Sequence, residues 1–262
     1  MSVPEPSALL AWVTRTVSYV RVTGRADADP ATVWHRCSAL VGDPSALMEL
    51  VRSTAAGRGT DRDDIALSLF CQAYAFRVAA TAIGSWLMSG GAAVLDVSPA
   101  NMSIALGRHR PNAVALDRIA YSRHGIAEAL FDRHLVAFVA NAHSAIEVGK
   151  RLLWGNMAAG CAAAFGAFHA VLGPDVRAQA ARFTALAPEP LALAGQFVEY
   201  EGTASVGWFF ERNACCLLYQ VQPPDPAKSP TMCEDCPLHS AEARLARYRA
   251  ATSTACDDPP RA

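Results

Sequence analysis

The residues of this chain whose types and spacing are best suited to chemistry are four cysteines near its carboxyl end. Cys215 and Cys216 are adjacent, and residues 217–232 separate them from the Cys-x-x-Cys motif of Cys233 and Cys236. A metal is the best explanation for four thiols in so short a stretch. A bound metal supplies the positive charge that keeps each thiol deprotonated, and a Cys-x-x-Cys turn offers two sulfurs to one centre.

The spacing alone does not identify the metal. Structural zinc usually takes two Cys-x-x-Cys knuckles, and the first half of this motif is not a knuckle. Adjacent side chains of an extended chain point to opposite faces, so Cys215 and Cys216 must share a tight turn or bind two different irons. The last cysteine of the motif is followed by Pro237, and one ferredoxin pattern also ends in Cys-Pro. Three interpretations stay open: a zinc site, an iron–sulfur cluster and a redox-active dithiol.

The cysteine segment resembles the C-terminal signature of FhuF-like ferric siderophore reductases, in which Cys-Cys is followed by a gap and then by Cys-x-x-Cys-Pro-Leu. Residues 210–213 and 217–219 are also similar, and RLLWGNMAAG at 151–160 resembles a Leu-Trp-Gly-Asn motif of that family. The resemblance covers the C-terminal half well and the N-terminal half in outline. The gap is longer than is usual in the family, because the Pro-rich residues 223–230 extend it into what we expect to be an exposed loop.

The resemblance implies a function for the chain. Its four cysteines would hold a [2Fe–2S] cluster: Cys215, Cys216, Cys233 and Cys236. The protein would be an oxidoreductase that passes one electron to a bound Fe(III)-siderophore and releases iron as Fe(II), with no catalytic residue beyond the cluster. It would need an external electron donor of the ferredoxin or flavin reductase type, because the sequence has no Gly-rich dinucleotide fingerprint. Two alternatives remain, a non-enzymatic [2Fe–2S] electron carrier or redox sensor and a structural Cys₄ zinc module.

Four further residues are candidates for contact with the substrate: Arg108, Arg110, Arg212 and Trp208. Arg108 and Arg110 belong to a basic turn that could hold an oxygen-rich chelate, although a solvated hairpin tip is the commoner explanation. Arg212 could tune the charge of the cluster or form a surface ion pair. Trp208 and the two phenylalanines after it could face the chelate or shield the cluster.

The remaining cysteines and histidines have ordinary explanations. We expect three cysteines to be small core residues: Cys37, Cys71 and Cys161. Cys256 is expected to be a free thiol in the tail. His239 is the histidine nearest the cluster motif, but no second histidine has the spacing that Rieske ligation needs. Trp154 and Asn156 are expected to fix the packing of a helix turn.

Composition excludes several classes of protein. Hydrophobic residues make up 52% of the 262 residues and charged residues only 18%, which excludes disorder over most of the length. The net charge is −1, so nucleic acid is not expected as a partner. The start of the sequence has no basic region before an apolar stretch, and we read no secretory signal. Residues 65–95 are apolar, but Gly90 and Gly91 interrupt them and favour a core helix over a membrane span. A cytoplasmic protein is expected, with no indication of peripheral membrane contact.

Caps and periodicity predict the elements that must position the cysteines. Asp29-Pro30 and Asp43-Pro44 are expected to open helices, and a long helix is expected from about Asp63 to Ser89. Residues 92–97, 102–106 and 113–116 predict a small antiparallel meander. Further helices are expected over the following stretches: 122–139, 148–172 after a Ser144–Glu147 capping box, from Asp175, between Pro188 and Tyr200, and 241–251.

The sequence therefore predicts an α+β fold that is mainly helical, with a small antiparallel β-meander and a C-terminal iron–sulfur-binding segment. The expected division is residues 1–121 for N-terminal helices and the sheet, 122–207 for a helical region, 208–252 for the [2Fe–2S] segment and 253–262 for a disordered tail.

Overall fold

The computed structural model describes residues 3–17, 20–221 and 232–253. It is 56% helical and carries small sheets, which confirms the mainly helical α+β class. The helices are α1 Pro6–Thr16, α2 Cys37–Gly42, α3 Pro44–Arg58, α4 Asp63–Met88, a π-helix Ala127–Leu135 continued by α5 Val136–Ala145, α6 Lys150–Leu172, α7 Asp175–Leu186, α8 Glu189–Ala192 and α9 Ala241–Thr252. The strands are β1 Arg21–Gly24, β2 Trp34–Arg36, β3 Met102–Gly107, β4 Arg110–Leu116, β5 Gly195–Glu201 and β6 Val206–Arg212.

The two longest helices, α4 and α6, form the centre of the fold and pack closely against each other. Gly160 permits this approach, because a Cβ there would lie 2.6 Å from the Cβ of Ala75. Both helices are long and apolar enough to cross a membrane by length and composition, but α4 is almost wholly buried by the rest of the protein. It is a core helix, as the sequence predicts, since a helix that is apolar all round belongs inside a fold.

The sheet differs from the predicted meander. Strands β3 and β4 form the expected antiparallel hairpin, but β1 pairs in parallel with β4 and β2 pairs with β3, giving the order β1-β4-β3-β2. Residues 92–97 contribute only the isolated bridge between Leu95 and Tyr121 instead of the predicted first strand. The sheet is therefore mixed, because β1 runs parallel to β4 while the other neighbouring strands are antiparallel.

Local caps predict some helices correctly and others wrongly. The Asp43 side chain accepts a 2.8 Å bond from the N–H of Ser45 and starts α3 as expected. The Asp29 side chain instead accepts from Ala31 in a turn that opens no helix. Ser144 lies inside the preceding helix and bonds to the carbonyl of Ala140, so the predicted capping box is wrong. Ser122 likewise lies ahead of a helix that begins near Ile126.

A two-stranded antiparallel hairpin of β5 and β6 carries the chain into the cysteine segment. The helix predicted between Pro188 and Tyr200 is confined to α8, and β5 occupies the rest of that stretch. Helix α9 packs against β6 and begins at Ser240, whose hydroxyl accepts from the N–H of Ala243. The predicted exposed loop at residues 223–230 and the predicted tail that includes Cys256 lie outside the described residues.

Candidate metal centre

The two halves of the cysteine motif meet beside the amino-terminal end of α4. Cys215 and Cys216 follow two residues after the end of β6. Cys233 and Cys236 form a tight turn in which the Cys236 N–H donates to the Cys233 carbonyl over 3.2 Å. Cys216 is buried against Ile65 and Leu69 of α4, together with the partly buried Cys233. The fold thus brings together all the cysteines that the sequence marks as ligands.

The four thiols form two pairs, each with one sulfur from either half of the motif. The sulfurs of Cys216 and Cys233 lie 3.5 Å apart. The thiol of Cys215 is within hydrogen-bonding reach of Cys236 and interacts electrostatically with Cys216. Two thiolates on one tetrahedral metal, at bonds of about 2.3 Å, are separated by roughly 3.8 Å. The Cys216–Cys233 spacing therefore fits joint ligation of one ion.

The arrangement is paired and does not form a single four-sulfur group. Within residues 3–17, 20–221 and 232–253, no three His, Cys, Asp or Glu side chains converge to hold one metal ion. A structural zinc needs four ligands around one centre. A two-iron cluster is held by four thiolates that are divided between two atoms. The described thiols form two pairs that each join the two halves of the motif.

The turn at the adjacent cysteines is a sharp one. Leu217 has φ = 64°, a left-handed conformation that is rare for a residue other than glycine. Its N–H is directed back to the sulfur of Cys215 over 3.3 Å. This turn allows two neighbouring cysteines to serve different partners, and hydrogen bonds to sulfur are one of the means by which proteins set cluster potentials.

The electrostatics of the site favour a thiolate at Cys216. Hydrogen bonding with the Cys233 thiol lowers the pKa of Cys216 to about 6 against the opposing effect of burial, and the charge of Arg212 acts in the same direction. The same hydrogen bond raises the pKa of Cys233. Burial and the neighbouring thiols raise the pKa of Cys215. One negative charge is therefore accommodated beside Arg212 even without a metal.

Arg212 supports the site from inside the protein. Its side chain is fully buried and lies 3.8 Å from the carboxylate of Asp235, a residue of the Cys-x-x-Cys turn. Its guanidinium donates to Oδ1 of Asn156 over 2.7 Å and to Oε1 of Gln72 over 3.3 Å. Its Nε–H has no partner among the described residues, which leaves a buried donor available for an anionic group. Arg212 is thus a positioning residue with no direct access to solvent.

A chain of buried hydrogen bonds links Arg212 to the backbone of the adjacent cysteines. Asn156 of α6 accepts from Arg212 and donates through Nδ2 to the hydroxyl of Ser68 over 2.8 Å. Ser68 of α4 in turn donates to the carbonyl of Cys216 over 2.7 Å. Because Ser68 and Asn156 are both fully buried, each needs these partners to offset its desolvation. The two central helices therefore fix the position of Cys216.

A close contact with the cysteine segment explains why residue 155, in the Trp-Gly-Asn sequence of α6, is a glycine. A Cβ at this position would lie 2.6 Å from the Cβ of Ala214, the residue before Cys215. The absence of a side chain lets α6 press against the cysteine segment. Its neighbours Trp154 and Asn156 are both buried, as a packing role for them requires.

An open cleft of about 580 Å³ adjoins the Cys-x-x-Cys turn. Glu234 and Asp235, which lie between the two cysteines of that turn, form part of its wall. Trp208 stacks on Phe197 with ring centroids 4.0 Å apart, and both rings line the cleft. The cleft also has a charged rim, to which α9 contributes Arg244 and Arg247 and β6 contributes Glu211. Arg244 is partly buried and lies 3.7 Å from the carboxylate of Glu211.

A second cavity, of about 510 Å³, lies beside the residues that immediately precede Cys215. Its wall includes Ala214, the neighbour of Cys215, and the indole of Trp154. Lys150 and Arg151, at the start of α6, give it a cationic character.

The other predicted site residues lie elsewhere. Arg108 and Arg110 sit in the β3–β4 turn, which packs on α3 and lines neither cavity. His239 has its Nε2 3.0 Å from the carbonyl of Cys233, so it braces the turn. The three cysteines predicted for the core are buried there and unbridged, and burial raises the pKa of each: Cys37, Cys71 and Cys161.

Several residues of the site carry no motif in the sequence. Ser68 and Gln72 of α4 lie far from the cysteines along the chain, and Tyr248 of α9 donates a 2.9 Å bond to Glu211 beneath the cleft. The only signal for Ser68 is that it is a polar residue within a helix whose surroundings are apolar, where it needs a buried partner.

No family model matches the chain, and a search of the curated proteins finds no match.

Proposed function

We propose that the chain holds a [2Fe–2S] cluster on Cys215, Cys216, Cys233 and Cys236 and reduces a bound Fe(III)-siderophore to release Fe(II). The observation that carries this proposal is the pairing of the thiols across the two halves of the motif, with 3.5 Å between the sulfurs of Cys216 and Cys233. The resemblance of the segment to FhuF-like reductases gives the proposal its substrate class.

When bound, a [2Fe–2S] cluster supplies single electrons, and one electron converts tightly held Fe(III) into Fe(II), which siderophore oxygens hold much less tightly. No proton needs to move to or from the protein in this change. The residues of the chain therefore have to hold the cluster, orient its ligands and exclude solvent, and no general base is required. The buried bonds from Arg212 and Ser68 perform the orienting role.

The cleft beside the Cys-x-x-Cys turn is the proposed site for the ferric chelate. Its volume of about 580 Å³ lies within the range of small-molecule sites. Its aromatic wall of Phe197 and Trp208 offers an apolar contact surface, while Arg244 and Arg247 can bind chelate oxygens. Glu234 and Asp235 line the cleft and lie between Cys233 and Cys236, so a bound chelate would be close to the thiols.

A reducing compartment suits this proposal. Free, unbridged thiols at Cys37, Cys71 and Cys161 are typical of proteins that are not exposed to oxidising conditions. The proposal is a cytoplasmic reaction with an external one-electron donor.

The test is the visible absorption spectrum and metal content of the anaerobically purified chain, before and after dithionite. We expect a red-brown protein with two irons per chain that bleaches on reduction. The iron(III) complex of desferrioxamine B is then added, and the release of Fe(II) is followed with a ferrous-specific dye. Cys233→Ser is expected to abolish both the colour and Fe(II) release, because it removes one sulfur of the closest pair.

The matched control is Cys161→Ala, which removes a thiol of the core that has no part in the site. It is expected to retain two irons and full Fe(II) release. A colourless wild-type chain that binds one zinc and cannot be reconstituted with iron and sulfide would refute the proposal. A red chain that exchanges electrons with proteins but never reduces the ferric chelate would instead be an electron carrier.

A further inference from the structure

A cluster of exposed arginines lies where α3 meets the β3–β4 turn. Arg58 ends α3, and Arg108 and Arg110 flank His109 in the turn; all four residues are exposed. The turn is fixed in place because Thr54 donates to the carbonyl of His109 over 2.9 Å, and Ser53 lies 3.3 Å from its ring. We call Arg58, Arg108 and Arg110 the arginine surface.

The positive charge of the arginine surface is uncompensated. Within the described ranges, none of its three arginines forms a salt bridge, whereas other surface arginines such as Arg36 and Arg177 do. The end of α3 contacts the turn, because a Cβ at Gly57 would overlap the side chain of His109. Burial lowers the pKa of Arg58, and the nearby charge of Arg110 lowers it further. In a chain whose net charge is −1, this is a local concentration of like charge. Such a surface attracts an acidic partner and accelerates its association.

The arginine surface adjoins the thiol site. After α3 ends at Arg58, the chain turns and begins α4 at Asp63, and Ile65 of that first turn packs against Cys216. The surface lines neither of the two cavities described above. It therefore approaches the cysteines from a face that a chelate bound in the cleft would leave free.

The shape of the surface favours a protein over a small chelate. Small molecules bind in concave sites, and the arginine surface is an exposed helix end beside an exposed turn. Protein partners dock on such surfaces through complementary charge. A partner that delivers electrons must come close to the thiols, and this surface lies next to the start of α4, where Ile65 packs against Cys216.

We propose that the arginine surface is the docking site for an acidic one-electron carrier protein that supplies the reductant. The proposal rests on the function proposed above. In the complete reaction one reduced carrier loses one electron and one Fe(III) in the chelate gains it. The products are the oxidised carrier, Fe(II) and the free siderophore.

The test measures binding of an oxidised plant-type [2Fe–2S] ferredoxin, an acidic one-electron carrier, to the full chain at low and moderate ionic strength. Arg58→Glu is expected to weaken binding roughly tenfold and to reduce its dependence on salt, since charge reversal turns attraction into repulsion. Arg58→Gln is expected to have a smaller effect in the same direction. It removes the charge without placing a carboxylate at the end of α3.

The matched control is Arg123→Glu. Arg123 is exposed, and it lines a cavity with Trp86 near the far end of α4, about 30 Å from the first turn of that helix. This variant makes the same charge change away from the arginine surface, so ferredoxin binding is expected to stay at the wild-type level. The visible absorption of each variant shows that the thiol site is intact.

Fe(II) release separates the possible roles of the surface. With dithionite as reductant, Arg58→Glu is expected to release Fe(II) at the wild-type rate. With a limiting concentration of reduced ferredoxin, it is expected to release Fe(II) roughly tenfold more slowly than the wild type. Wild-type ferredoxin binding by Arg58→Glu in a red, iron-loaded chain would overturn the docking proposal alone. A raised KM for the chelate in Arg110→Glu under dithionite, with ferredoxin binding unchanged, would also overturn it and make the surface a chelate site. A colourless wild-type chain refutes the proposed function instead.

Discussion

Replacing Arg212 with Gln tests whether the buried polar chain holds the cysteine site. The side chain of Arg212 is fully buried and contacts Asn156, Gln72 and Asp235. Glutamine is shorter and uncharged, so it cannot reach all three partners. The change leaves the Oδ1 of Asn156 without its charged donor and Asp235 without its ion pair.

The magnitude follows from these partners. A hydrogen bond to a charged group is worth about 1.5–3 kcal/mol, and the 2.7 Å bond to Asn156 is of this kind. The ion pair with Asp235 is longer, 3.8 Å, and the Asp235 side chain is 23% exposed, so solvent screens it and it contributes roughly 1 kcal/mol or less. We expect Arg212→Gln to lower the free energy of unfolding by about 3 kcal/mol.

The assay is urea unfolding of the metal-free chain, followed by circular dichroism. Metal-free protein is used so that loss of a cluster does not contribute to the difference. The matched control is Arg244→Gln, because Arg244 is partly exposed and lies 3.7 Å from Glu211. Its loss is expected to cost less than about 1 kcal/mol. Equal costs for the two variants would refute the argument that the buried chain fixes the site.

The same substitution has a second readout in iron-loaded protein. Removing a positive charge beside the thiols disfavours the more negative, reduced state of a cluster. Arg212→Gln is therefore expected to lower the reduction potential, and Arg212→Lys, which keeps the charge but loses the planar fork, is expected to restore part of it. An unchanged potential in both variants would show that Arg212 acts only on stability.

Three further predictions follow from the core and the cleft. Gly155→Ala is expected to destabilise the chain by about 1–3 kcal/mol and to lower its iron content, because the new methyl group would lie 2.6 Å from the Cβ of Ala214. The control Gly166→Ala has open space around it and is expected to change neither stability nor iron content. Burial lowers the pKa of His134 to about 4, so as the pH falls the unfolded state binds a proton before the folded state does. The free energy of unfolding of the wild type is therefore expected to drop by about 3 kcal/mol between pH 6.5 and pH 4. Urea unfolding at each pH measures this drop, which is expected to be absent in His134→Gln. Trp208→Ala is expected to raise the KM for the ferric chelate several-fold with the visible spectrum unchanged; an unchanged KM would exclude the cleft as the chelate site.

Local sequence signals predict the helices whose ends carry their own caps. Asp43 caps α3, and Gly173 ends α6, because the interactions involved lie within a few residues. The edge strands of the sheet have no such signal. Strand β1 gains its order from parallel pairing with β4, in which Arg21 is opposite Ala113. A short strand whose partner lies so far along the chain cannot be distinguished locally from a loop.

The candidate site also has one part that the sequence predicts and one part that it does not. The four cysteines are visible in the sequence because their residue type and spacing are themselves the signal. The buried chain that holds them is not visible, because it is assembled from polar residues on three separate elements: Ser68 on α4, Asn156 on α6 and Arg212 at the end of β6. Each of these residues is unremarkable alone, and only the packing of the helices brings them within bonding distance.

The arrangement of core and site indicates which depends on the other. The main hydrophobic core contains none of the four cysteines, whereas Cys216 packs in a smaller cluster beside Ile65 and Leu69. The packing of this core therefore does not depend on contacts of the cysteines, unlike that of a zinc finger, whose fold is supplied by its ion. The dependence runs the other way: Ser68 and Asn156 are rigid positions of the two central helices, and they fix the carbonyl of Cys216 and the guanidinium of Arg212. The fold thus presents a preformed arrangement of thiols, and changes within its buried polar chain must alter the site even where no cysteine is touched.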